Sequence, residues 1–220
     1  MLDLKSIETT LAEKLADLRF EESGHKYSVN GCEYPSVTRI LADMGLTSYE
    51  WIARRYRDRG KAVHEGCRLV STGEWDPDGT TSEIVPFIRA YKGWADTSKV
   101  YPVLVEQPIY CHSMRYAGTL DLWGTTGEKG EVTILSDIKA GKPAPGAEFQ
   151  LSLYDYALSE LTGVGTDILM ALWLREDGTA QDCVVDSKKR RRNLQLALGA
   201  VQLWHWRNQH GLLPKNGKEV

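Results

Sequence analysis

A chain of 220 residues with 42% apolar and 26% charged side chains holds enough material for one sizeable core rather than two. Its net charge of −3 excludes attraction of a polyanion by the molecule as a whole, so any nucleic-acid contact must come from local patches. Cys32, Cys67, Cys111 and Cys183 are scattered without paired spacing, which excludes a zinc knuckle and a disulfide framework, and no run reaches the roughly 18 apolar residues of a membrane span.

Taken in order, Ser6 to Leu18 places Ile7, Leu11, Leu15 and Leu18 on one helical stripe, with Ser6 as the expected N-cap. Arg19 to Tyr34 changes to short alternating runs broken at Ser23-Gly24 and Asn30-Gly31, which predicts a small β element. Pro35-Ser36-Val37-Thr38 then opens a helix that Gly45 closes. Its start offers Ser36, Thr38 and Arg39 to a phosphate, although most capped helix starts bind nothing. Ser48 to Thr72 predicts a longer helix carrying a basic patch of Arg54, Arg55, Arg57, Arg59 and Lys61. Farther along it, His64 sits beside the apolar stripe of Val63, Cys67 and Val70, either as a packed, hydrogen-bonded residue or as a ligand.

Gly73 to Ser82 reads as a surface loop, and Glu83 to Asp96 as an amphipathic helix with Phe87, Ile88, Tyr91 and Trp94 inward. Val100 to Tyr110 alternates as a strand with Val103, Val105 and Gln107 on one face and Leu104, Glu106 and Pro108 on the other. Glu106 is then either a functional carboxylate or the partner of a surface arginine. Beyond the central strands, Lys142 precedes Pro143 where a Walker A loop requires Ser or Thr, so nucleotide-triphosphate binding is unsupported. Glu148 to Leu161 predicts a helix with Gln150 and Tyr154 on a shared face. Two further strands, Ile168 to Arg175 and Ala180 to Val185, precede a final helix over Ser187 to His210, which opens on a second basic patch at Lys188 to Arg192.

The chain is organised around Gly118-Thr119-Leu120-Asp121 and Ser136-Asp137-Ile138-Lys139, two apolar strand segments joined by a polar hairpin loop. Alternation puts Thr133, Leu135, Asp137 and Lys139 on one face. If the partner strand brings Asp121 to the same end, two carboxylates meet among apolar neighbours, where a divalent cation relieves the cost of unpaired charge. Asp137 and Lys139 as an edge-strand ion pair, with Asp121 in a turn, is the alternative.

The succession of a strand with Glu106, a strand with Asp121, a strand with Asp137 and Lys139, and a helix with Gln150 and Tyr154 resembles the PD-(D/E)XK nuclease superfamily, and more narrowly its RecB-type phage exonucleases. The likeness also takes in Arg59-Gly60-Lys61-Ala62-Val63-His64-Glu65 and the upstream Tyr27, Gly31 and Pro35-Ser36-Val37-Thr38. It covers about residues 25 to 175. The resemblance implies an α/β restriction-endonuclease-like core, a mixed sheet flanked by helices, within a single nuclease domain. Residues 1–60 form its N-terminal extension, 61–186 its catalytic core and 187–220 its closing helix and tail.

It further implies ligation of Mg²⁺ or Mn²⁺ by His64, Asp121, Asp137 and the Ile138 carbonyl, with assistance from Glu106. Lys139 would organise the attacking water, and Gln150 and Tyr154 would orient the site or touch DNA. Asp137 stands where the superfamily more often has Glu, and the absence of a cysteine cluster makes an iron–sulfur cluster unexpected. The expected activity is exonucleolytic hydrolysis of DNA to 5′-phosphates, in phage recombination, repair or replication. Arg54, Arg55, Arg59, Lys61 and Lys142 join Ser36, Thr38 and Arg39 as candidate DNA contacts. A structure-specific or restriction-like endonuclease and an inactive DNA-binding recombination scaffold are the alternatives. No fused helicase is present, so a helicase or a single-strand annealing protein is the expected partner. Met1-Leu2-Asp3-Leu4-Lys5 does not run from basic to apolar as a secretory leader does, so an intracellular setting is expected, the host cytoplasm if phage-encoded, with no membrane and an oligomeric state that no motif specifies.

Overall fold

The computed structural model describes residues 3–47, 54–128, 130–141, 143 and 146–213. The first helix, α1, spans Leu4–Lys14, and its N-cap is Asp3, whose Oδ1 accepts from the Ser6 amide at 3.2 Å. Ser6 is therefore inside the helix rather than at its cap, because the carboxylate of Asp3 both accepts the free amide and complements the positive end of the helix. Ile7 and Leu11 are buried as the stripe predicts, but the helix stops before Leu18, which opens a strand.

That strand, β1 (Leu18–Glu21), pairs antiparallel with β2 (Lys26–Val29), which pairs with β3 (Cys32–Tyr34). Asn30 and Gly31 link β2 to β3 at φ 51° and 76°, the two successive left-handed residues that a tight type I′ hairpin requires. Ser36 caps α2 (Val37–Asp43) by accepting from the Arg39 amide at 3.2 Å.

Helices α3 (Arg54–Thr72) and α4 (Val85–Ser98) come next. The part of the expected α3 before Arg54, and the side chain of Arg54 itself, lie outside the described residues. The two helices approach closely at Gly66, where a Cβ would stand 2.2 Å from Ile88 Cδ1. This contact fixes the helix that carries His64.

The main sheet runs β4 (Tyr101–Cys111), β5 (Tyr116–Thr126), β6 (Val132–Ala140), β7 (Ile168–Leu174) and β8 (Ala180–Val184) in spatial order. The first three form an antiparallel meander. Strands β6 and β7 are parallel, connected through α5 (Ala147–Thr162), and β8 closes the edge antiparallel. One face packs α1, α2, α5 and α6 (Ser187–Gln209) around Ile40, Leu120, Trp123, Leu135, Leu151 and Val201. The other packs α3 and α4 around Val63, Phe87, Tyr91, Leu122, Ile134 and Leu172. The result is a mixed α/β fold, a five-stranded sheet flanked by helices, consistent with a restriction-endonuclease-like core. No helix among the described residues is long and apolar enough to cross a membrane.

Candidate active site

Strict alternation fails at one level of the sheet. In β5, Leu120 and Trp123 both face the α5 side although their positions differ in parity, whereas Leu122 faces the α3 side. In β4, Leu104 and Ile109 likewise share the α5 side. The register pairs Val105 with Leu122 and Gln107 with Leu120, which brackets Glu106 against Asp121. Both strands therefore break their pleat at the same rung, and Glu106 does so through a left-handed φ of 45°. That conformation is uncommon for a residue with a Cβ and is characteristic of functional positions. The break turns the two carboxylates toward α3.

There they meet His64. Its Nδ1 lies 3.1 Å from Glu106 Oε1 and 3.4 Å from Asp121 Oδ1. Burial works against an imidazolium, but the carboxylates of Asp121 and Glu106 outweigh it and lift His64 to about 10. Burial raises Glu106 as well, and the neighbouring Asp121 charge adds to that. Burial would raise Asp121 too, yet His64, Lys139 and the Ile138 amide together hold it below the usual carboxylate range.

Strands β5 and β6 pair from Thr126↔Val132 as far as Leu122↔Ser136. Beyond that rung the strands fork, and Asp121 Oδ2 takes the place of a backbone acceptor, receiving the Ile138 amide at 2.5 Å. In a strand the amide and carbonyl of one residue leave toward the same neighbour, so the Ile138 carbonyl is also directed into the fork.

Asp137 and Lys139 leave β6 on the α5 side, as alternation predicts, with Lys139 Nζ 2.9 Å from Asp137 Oδ1 and 3.4 Å from Gln150 Oε1. Gln150 Nε2 donates in turn to the Tyr154 hydroxyl at 3.2 Å. Burial pushes Asp137 up to about 6; Lys139 opposes the shift and the Asp121 charge adds to it. Asp137 Oδ2 is buried without a hydrogen-bond partner among the described residues. Asp121 thus leaves β5 toward α3 and Asp137 leaves β6 toward α5, and their charges act on each other across the end of the fork where both strands bring them.

The donor set suits a divalent cation. The ligand atoms of His64, Glu106 and Asp121 all lie within 4.8 Å of one another. Octahedral coordination at about 2.1 Å sets neighbouring ligand atoms about 3 Å apart, close to the 3.1 and 3.4 Å that separate His64 Nδ1 from the Glu106 and Asp121 oxygens. A cation at this place would stand in for the imidazolium proton that the Asp121 and Glu106 carboxylates favour on His64.

The other sequence candidates are dispersed. The Ser36 hydroxyl caps α2 and lies 3.2 Å from Thr38 Oγ1, and Arg39 pairs with Asp43 at 3.6 Å and lies over the Trp204 ring, across the sheet from His64. Arg55 pairs with Glu83 at 3.2 Å and Arg59 with Glu176 at 2.6 Å. Lys61 is exposed on the helical face of His64, one turn away. Lys142 lies outside the described residues. In the second basic patch, Arg190 is structural, bonding the Thr166 and Asp167 carbonyls and the Asp155 carboxylate.

Two residues inside the quoted motifs, to which the sequence assigns no role, support the site. Gly118 lets the Tyr154 ring approach so closely that a Cβ would stand 2.6 Å from Tyr154 Cε1; a glycine inside a strand is the sequence signal for such an approach. Tyr27 reaches from β2 to Thr119 Oγ1 at 2.9 Å, a contact between residues 92 positions apart that no local pattern carries.

No known family profile matches the chain, and no curated protein matches it. Among solved structures, a Eubacterium rectale protein provisionally described as an exonuclease superposes with a TM-score of 0.51 at 10% identity, over 82% of this chain and 83% of that one. At this identity the likeness establishes the fold alone. A second chain, SSO0001, aligns at 15% identity over 90% of this chain and 84% of its own, with a TM-score of 0.33, which carries no argument.

Proposed function

We propose that this protein is a divalent-metal-dependent deoxyribonuclease of the PD-(D/E)XK type, working from DNA ends as an exonuclease and leaving 5′-phosphates. The observation that carries this reading is the His64, Glu106 and Asp121 cluster lying across a strand fork from the buried Asp137–Lys139 pair. The Eubacterium rectale structure supports the choice of chemistry, since it shares the fold and is provisionally described as an exonuclease.

In this reading His64, Asp121 and Glu106 hold the cation beside the Ile138 carbonyl, and Asp137, whose Oδ2 has no hydrogen-bond partner among the described residues, completes the ligand set from across the fork. Bound Mg²⁺ or Mn²⁺ supplies Lewis acidity toward the phosphate and lowers the pKa of a coordinated water. Lys139 holds the attacking water and balances charge that develops on the phosphorus. Gln150 and Tyr154 fix the Lys139 ammonium. Arg57 and Lys61, on the same helical face as His64, take the backbone phosphates that lead to the site.

The test is digestion of end-labelled linear and covalently closed circular DNA with Mg²⁺ or Mn²⁺, beside Lys139→Ala and a chelator control. Loss of linear DNA alone, abolished in both controls, is the expected result. Cutting of circles makes the protein an endonuclease, and no cutting of any DNA contradicts the reading.

A further inference from the structure

The small N-terminal sheet places aromatic rings beside the candidate metal cluster. Phe20 and Tyr27 face each other across β1 and β2 with ring centroids 4.7 Å apart and planes 23° apart, a stacked pair. His25 stands edge-on to both, at 5.4 Å from Phe20 and 5.3 Å from Tyr27. Tyr27 is buried, and its hydroxyl meets Thr119, two residues before Asp121 on the same stretch of β5. Burial pushes Tyr27 up to about 12, the Thr119 hydrogen bond opposes the shift and the Glu106 and Asp121 charges add to it, so the hydroxyl edge of the stacked pair lies on the side of the cluster. At its outer end Phe20 is 38% exposed on an edge strand, β1, which lies along β4.

Two further features bear on a ligand at this sheet. His25 caps the 3-10 turn Glu22–Gly24 at a left-handed φ of 49°, and this places its ring against Phe20 and Tyr27, with Nε2 3.5 Å from the Tyr27 hydroxyl. Lys61 comes near enough to disfavour the His25 imidazolium, after burial has already done so. That lysine lies one helical turn from His64 and makes no ion pair among the described residues. A flat apolar ring face beside a cation, next to a phosphate-cleaving centre, matches the repeating unit of a single strand, a base and its phosphate.

We infer that Phe20 and His25 form a stacking subsite for an unpaired nucleobase next to the scissile phosphate, with Lys61 on the adjoining phosphate, so that the preferred substrate is a single-stranded or frayed DNA end. The inference rests on the nuclease reading above and specifies its substrate. Inside a duplex both faces of each base are covered by its neighbours, and only the outer face of a terminal pair is open, fixed square to the helix axis, whereas an unpaired base turns freely to meet Phe20. A terminal unpaired base continues the stack as its next layer.

The experiment compares the intact wild-type protein with Phe20→Leu, which keeps apolar volume without a ring, and with His25→Gly, which suits the backbone at that position. Each is titrated with a single-stranded oligonucleotide carrying a terminal 2-aminopurine, in Ca²⁺ to slow cleavage, and with a blunt duplex. Separately, each is titrated with Mn²⁺ in a calorimeter. The wild type is expected to change the 2-aminopurine fluorescence on binding. Phe20→Leu is expected to lose that change and bind the single strand on the order of tenfold more weakly, with Mn²⁺ binding and duplex affinity unaltered. Equal single-strand affinity and equal fluorescence change in the wild type and both variants overturns the stacking subsite. A wild type that binds Mn²⁺ and cuts DNA but prefers blunt duplex also overturns it while sparing the nuclease reading. A wild type that neither binds Mn²⁺ nor cuts DNA overturns both.

Discussion

On the α3 side of the fork, His64 and Glu106 keep 26% and 27% of their side chains in reach of solvent and converge with Asp121 on one small volume. On the α5 side Asp137 is fully enclosed, and Lys139, at 23% exposure, is held by it and by Gln150. On the proposed reading the first group is an exchangeable site: the proton that the carboxylates favour on His64 leaves when a cation arrives, and both states keep the two carboxylates compensated. The second is a more rigid pair: Lys139 compensates Asp137 through one carboxylate oxygen in the absence of a cation, and the other oxygen is left for the cation. A reactive site needs both kinds of region, one that changes occupancy and one that does not move while it changes.

Substitutions that separate the two sides test this division. The largest effect is expected from Asp121→Ala, which removes the residue touching both sides, and DNA hydrolysis should fall by about 10³-fold or more, measured as release of end label. Lys139→Ala leaves Asp137 buried without its partner. It should cost about 3 kcal/mol in denaturant unfolding of the chelated protein and abolish cleavage, yet retain Mn²⁺ binding. Gly118→Ala presses on Tyr154 and through it on Gln150, for a loss of about 1–3 kcal/mol and slower turnover with an unchanged Mn²⁺ isotherm.

The smallest and most diagnostic change is with pH. The folded-state pKa of His64 is raised from 6.5 to about 10, so its contribution to the stability of metal-free protein is complete below pH 6.5 and is lost as the pH rises through about 10. Metal must displace that proton. Mn²⁺ affinity should therefore increase with pH across the same window, with proton release seen as a dependence of the calorimetric heat on the ionisation enthalpy of the buffer.

What could be read from the sequence was what local geometry determines. The Asn30-Gly31 turn, the Asp137 and Lys139 pair on one face of β6, and the Gln150 and Tyr154 pair on α5 depend on spacings of two to four residues, and each is found where the pattern puts it. Local pattern shows Asp121 and Glu106 as carboxylates in strands, and only the family resemblance groups them with His64. Their meeting depends on a paired break in two pleats, and a period-two pattern cannot carry its own interruption. The ion pairs of the basic patch on α3 are beyond local pattern for a similar reason: Arg55 and Arg59 meet Glu83 and Glu176, which lie 28 and 117 residues away in the chain.

The exchangeable character of the His64, Glu106 and Asp121 cluster is tested most directly by calorimetric titration of Mn²⁺ into the wild type, Asp121→Ala and Lys139→Ala. Binding by the wild type and by Lys139→Ala, with none by Asp121→Ala, is the result predicted for a cation held on the α3 side of the fork. An absence of binding to the wild type, or an isotherm that Asp121→Ala leaves unchanged, would contradict it.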